Sequence, residues 1–112
     1  MKQIITQLES VKRDIATTSN PSPISLLKQA AVAYSLLNVF YSHSSLEGFE
    51  PGEFQKKSLS KLEQLIHNAD QLIDVKGIDF LKSELLTLLS FMIVMADSDS
   101  ESLKDIDLGM TG

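Results

Sequence analysis

Hydrophobic residues recur at three-and-four spacing in several segments of this chain, and short polar breaks separate them. Ile4, Leu8, Val11 and Ile15 share one face of a predicted first helix, opposite Gln7, Arg13 and Asp14. The stretch Thr17-Thr18-Ser19-Asn20-Pro21-Ser22-Pro23 ends that helix, because two prolines and a polar run disfavour its continuation. Ser22 is the expected N-cap of a second helix. Pro23 takes its first position, where a missing N–H costs nothing.

The second helix is predicted from Pro23 to about Ser42, roughly 30 Å long. Leu27, Ala30, Tyr34, Leu37 and Tyr41 form its main stripe, broadened by Leu26, Ala33, Leu36 and Phe40, with Ala31, Val32 and Val39 nearby. So wide an apolar surface belongs to a central helix with several neighbours, or to one that keeps a patch for a partner. Leu26, Leu36 and Tyr41 are the expected partner-binding residues on it. The break from Ser42 to Gly52 holds two glycines and a proline, with Leu46 and Phe49 expected to pin it to the body.

A third helix starts near Pro51 or Glu53, with Leu59, Leu62, Ile66, Ala69 and Ile73 as its seam and Leu65 and Leu72 widening it. Lys56, Lys57, Lys61, Gln64, Asn68 and Gln71 occupy the far face. Gly77 is the expected stop, Asp79 the expected cap of a fourth helix, and Asp74 to Ile78 a short link between neighbours. In the fourth helix Leu81, Leu85, Leu88, Met92 and Met95 make the main stripe. Leu86, Leu89, Phe91, Ile93 and Val94 cover most of the rest, which predicts a deeply placed helix.

Beyond Ala96 the sequence turns to Asp-Ser-Asp-Ser-Glu-Ser, too polar to offset the entropy of ordering. The expectation is therefore an all-α, antiparallel four-helix bundle over residues 1–97 and a flexible, disordered acidic tail over 98–112. In that tail Leu103, Ile106 and Met110 recur at three and four. Two readings fit them: a short amphipathic helix that docks on a partner, or a segment folded back on its own bundle.

Charge sharpens this division. The net charge is −5, and from Asp97 onward five acidic residues against Lys104 alone account for −4 of it. Residues 1–96 carry 10 acids and 9 bases, and neither part has the basic stripe of a phosphate-binding surface, so no nucleic-acid partner is expected. The chain has no cysteine, hence no disulfide framework, thiolate metal site or Cys nucleophile. Its longest apolar stretch, Leu85 to Ala96, contains Thr87 and Ser90 and falls short of the ~20 residues that span a bilayer. Met1 to Gln7 lacks the apolar core of a secretory signal, so a cytoplasmic protein without a membrane span is expected.

Candidate chemistry is sparse. His67 shares a helical face with Glu63, Asp70 and Asp74, a combination that suits a metal ion. Carboxylate metalloproteins built on four helices use Glu-x-x-His, however, whereas Glu63 to His67 is Glu-x-x-x-His with no second copy, so a solvated face is the expected reading. His43 lies among Ser42, Ser44 and Ser45 without an orienting carboxylate or an oxyanion hole, and a helix C-terminus suits its protonated form. Asp97, Asp99 and Glu101 alternate as calcium ligands do. Ser102 replaces the loop glycine and Leu108 the closing glutamate, which excludes a calcium hand. No phosphate-cradling glycine loop is present. These readings predict no catalytic residue, no metal and no cofactor. They point to a non-catalytic interaction module that binds another protein or itself, as an inhibitor, adaptor, small chaperone or assembly subunit. One alternative is a binder of an apolar small molecule between helices.

Asp14-Ile15, then Ser19-Asn20-Pro21, then an apolar second helix make the layout similar to the immunity proteins of pediocin-like bacteriocins. That resemblance covers about a quarter of the chain. It implies four antiparallel helices, a C-terminal tail that helps set specificity and, as an alternative function within the interaction class, an immunity-type role, although those proteins are usually basic and this chain is acidic. The Asn20-Pro21-Ser22-Pro23 turn also resembles that of secretion-needle subunits, which are shorter two-helix hairpins.

Overall fold

A computed structural model describes the backbone of residues 2–20, 22–46, 48 and 52–111, with side chains described for the same residues except 2, 45 and 100–111. Among the described residues the chain forms five helices and no strand: α1 (Lys2–Thr17), α2 (Pro23–Leu46), α3 (Glu53–His67), α4 (Ala69–Lys76) and α5 (Ile78–Thr111). Ser22 starts α2 as expected: the Ser25 N–H donates to its Oγ at 3.1 Å and the Leu26 N–H to its carbonyl at 3.0 Å.

The expected count of four helices is corrected to five, because the third predicted helix breaks at Asn68. Its φ of −100° and ψ of 12° leave the helical region. The hydrogen-bond ladder nevertheless runs through the break, with Asn68 N–H donating to Gln64 O and Leu72 N–H to Asn68 O, both at 2.9 Å. Asparagine is a poor helix former whose side chain competes for backbone groups, so a bend lands there without unpairing the ladder. Its two halves still present one seam, with Leu62, Leu65 and Ala69 buried and Leu59, Ile66, Leu72 and Ile73 half-buried beside them.

Other boundaries also move. α2 runs beyond Ser42 to Leu46, and the buried Ser44 stays helix-compatible because its Oγ donates back to Phe40 O at 2.8 Å. Leu46 is exposed rather than pinned to the body, and Phe49 lies outside the described residues. Gly77 stops α4 with φ +93°, a left-handed value that favours glycine. The link to α5 is that single residue, so Asp79 sits inside the first turn of α5 instead of capping it. The α5 backbone stays helical past Ala96 to Thr111. The side chains of Leu103, Ile106 and Met110 lie outside the described residues.

α2 and α5 touch each other and every other helix. α1 packs against both of them but meets neither α3 nor α4 among the described residues, so the pair separates α1 from α3 and α4. Leu8, Ile15, Leu26, Leu37, Phe40, Leu62, Leu85 and Met92 are fully buried between them. Specific contacts fix the register: Tyr34 on α2 reaches Glu63 on α3, Gln55 on α3 reaches Asp99 on α5, and Lys82 Nζ on α5 donates to Thr18 O at 2.7 Å just past α1. The longest dimension, 54 Å, is close to the roughly 51 Å expected of the 34-residue α5.

Candidate functional site

Between Glu84 and Asp97 the sequence of α5 contains no charge, and most of that stretch is spent on the core. Thr87, Phe91 and Val94, four and three apart, form the outward edge instead. Phe91 is 44% exposed and Val94 68% exposed, large values for apolar side chains in the middle of a helix that packs against four others. Phe54, in the first turn of α3 and 58% exposed, stands beside Phe91 with ring centroids 5.0 Å apart and an edge-on tilt of 61°. Together these residues make an apolar ridge.

An open groove flanks the ridge on each side. Towards α3, a groove of about 340 Å³ is lined by Phe54, Ser58, Lys61, Glu84, Thr87, Leu88 and Phe91. Lys61 Nζ lies 4.0 Å from Glu84 Oε2 across it. Towards α1, a groove of about 480 Å³ is lined by Glu9, Lys12, Arg13, Ala16, Ser90, Ile93 and Val94. The two serine hydroxyls are already used, since Ser58 Oγ donates to Phe54 O at 2.9 Å and Ser90 Oγ to Leu86 O at 2.7 Å. Among the described residues Lys12 and Arg13 have no ion-pair partner. The face therefore offers apolar contact at its centre and charge at its rim.

α2 has a second outward face, where Ile24, Val32 and Val39 are exposed among Ala31, Ser35, Asn38 and Ser42. Lys28 is its one lysine, arginine or carboxylate. The residues expected to bind a partner from α2 lie elsewhere. Leu26 and Tyr41 are buried in the protein's own core and Leu36 is half-buried against it, so the structure does not bring them together on the surface. Periodicity finds the apolar stripe of such a helix but not which side neighbours will cover. The ridge on α5 was missed for the same reason, and the available signal was the pair of phenylalanines, Phe54 and Phe91, in segments already full of aliphatic core residues.

Tyr41 has a different role. Its O–H donates to Asp99 Oδ2 at 3.1 Å, and Gln55 Nε2 donates to the same oxygen at 3.4 Å. Burial foremost, then the charge of Asp99 and the bond to it, raise the Tyr41 phenol above its ordinary pKa. The cluster ties α2, α3 and α5 together at a carboxylate beyond residue 97, where the bundle was expected to end.

His67 Nε2 lies 3.9 Å from Glu63 Oε1 on an exposed turn, while Asp70 and Asp74 stand beyond the bend on α4. Among the described residues no group of three or more His, Asp or Glu side chains is placed to hold a metal ion. Within the bundle, Leu26, Leu27, Ala30, Leu65, Ile66, Ala69, Leu81 and Leu85 close together and leave no room for a water molecule. Among the described residues no helix is long and apolar enough to cross a membrane. No protein-family model matches the sequence, and comparison with curated proteins and with solved structures likewise finds no match.

Proposed function

We propose that this protein is a non-catalytic interaction module that binds another protein through the ridge formed by Phe54, Phe91 and Val94. The observation that carries the reading is this exposed aromatic and aliphatic ridge, set on two helices that are otherwise anchored in the core. Exposing so much aromatic and aliphatic surface costs solubility, and a partner that covers it would relieve that cost. In this proposal α3 and α4 act as one bent rod, because the ladder is unbroken at Asn68, and the chain works as an antiparallel bundle of four rods. Such a frame holds the ridge rigidly, which lowers the ordering entropy lost on binding. The lack of cysteine fits work in a reducing cytoplasm. Binding of an apolar small molecule inside the bundle has less support, given the closed interior.

A photo-crosslinking residue in place of Thr87, between the two grooves, tests this in the native host. The expected result is a discrete adduct that vanishes when Phe91→Asp is added, while the variant keeps its helicity and melting temperature. An adduct pattern indifferent to Phe91→Asp sinks the proposal.

A further inference from the structure

Carboxylates are spread over every helix of this acidic chain except one. Each of α1, α3, α4 and α5 exposes at least two, from Glu9 and Asp14 on α1 to Asp79 and Asp97 on α5. α2 has none in its 24 residues. Its outward side instead carries Ile24, Val32, Val39 and Leu46, all exposed, with Ser35 at the centre and Lys28 as the one lysine. We infer that a second copy of the chain docks on this side of α2, as an antiparallel two-fold pair centred near Ser35. Two chains of net −5 repel each other, so self-association needs a face from which carboxylates are withheld. A foreign partner sets no such condition. Carboxylates return on the flanking helices, as at Glu63 of α3, which accepts from the Tyr34 hydroxyl at 3.3 Å.

The order of residues fits the two-fold. With Ser35 on the axis, Ile24 of one copy lies opposite Leu46 of the other, and Val32 lies beside Val39. The two copies of Lys28 then stand about 21 Å apart, whereas a parallel pair would set one on the other. The strip is about 36 Å long and, with the near edges of α1 and α3, roughly 20 Å wide. Its ~700 Å² per copy falls at the low end of the ~600–1,000 Å² a side that stable interfaces bury. α2 packs against α5, and the grooves beside the ridge open towards α1 and α3, so the α2 face and the ridge look away from each other. Pairing through α2 therefore leaves two ridges free, one on each side of the dimer.

Sedimentation of the full chain from about 1 μM to 1 mM tests this. A dimer is expected to grow in with concentration, and more readily as salt rises, because salt screens the repulsion between the two acidic copies. Val32→Glu/Val39→Glu returns carboxylates to the contact and should stay monomeric with its helicity unchanged. The chain has no cysteine, so Ser35→Cys gives a second reading. On oxidation it should couple into a covalent dimer about tenfold or more faster than Ser10→Cys, an exposed control on α1. A monomer at every concentration overturns the inference and leaves the ridge reading standing. A dimer indifferent to Val32→Glu/Val39→Glu, or equal coupling of the two cysteines, also overturns it. A dimer dissociated by Phe91→Asp alone moves the self-contact to the ridge and removes both readings.

Discussion

At the scale of single residues, Tyr41 couples the fold to pH. Its phenol is raised above the ordinary value near 10, so the folded protein keeps a proton that the unfolded chain releases. The stabilisation is complete below about pH 10 and declines as the pH climbs from there through the folded value. Chemical denaturation across alkaline pH should show this decline in the native protein and a flatter profile in Tyr41→Phe. At neutral pH the variant should be less stable by about 1–3 kcal/mol, the worth of a hydrogen bond to a charged group. A second test concerns Leu89 and Phe91, which sit two residues apart on α5. Leu89→Asp places an unpaired charge in the core and should unfold the domain, whereas Phe91→Asp should leave the melting temperature within a few degrees. Equal effects on thermal unfolding would mean that Phe91 is not the surface residue described above.

Helix ends carry the sharpest tests at the level of elements. Ser22→Ala removes the acceptor of the Ser25 N–H and should cost about 1 kcal/mol. Gly77→Ala forces a side chain into φ +93° and ψ 160°, which should cost about 1–3 kcal/mol although nothing obstructs the added carbon. Thermal melts resolve both, since 1 kcal/mol moves the midpoint of a domain this size by several degrees. These two ends were legible in the sequence because Ser-Pro and Gly act through local backbone chemistry. The break at Asn68 was not legible: the apolar spacing of Leu62, Ile66, Ala69 and Ile73 continues through it, and only the backbone angles change. Nor was the ridge, because α2 and α5 are apolar nearly all round and tertiary neighbours decide which side stays open. Leu26 and Tyr41 therefore stood out as surface candidates, while Phe91 and Val94 passed as core.

For the whole molecule, the bond from Tyr41 to Asp99 sets where the chain can be shortened. Ending it after Ser100 retains Asp99, and the melting temperature should stay close to that of the full protein. Ending it after Asp97 strands Tyr41 and Gln55 without their acceptor and should lower the midpoint by several degrees. Identical melts for the two truncations would show that the Asp99 cluster contributes nothing to stability. The central place of α5 also bears on how the protein is made. α1 is synthesised before α5, yet α5 and α2 together cover its buried face. At ~5–20 residues per second, roughly 3 to 13 s separate the addition of Ile15 from that of Leu81. Helix formation and collapse take microseconds, so the nascent chain spends a long interval with α1 and α2 lacking their final cover. During those seconds the sides of α1 and α2 that α5 will cover are open to whatever binds apolar segments at the ribosome, and the arrival of α5 ends that exposure.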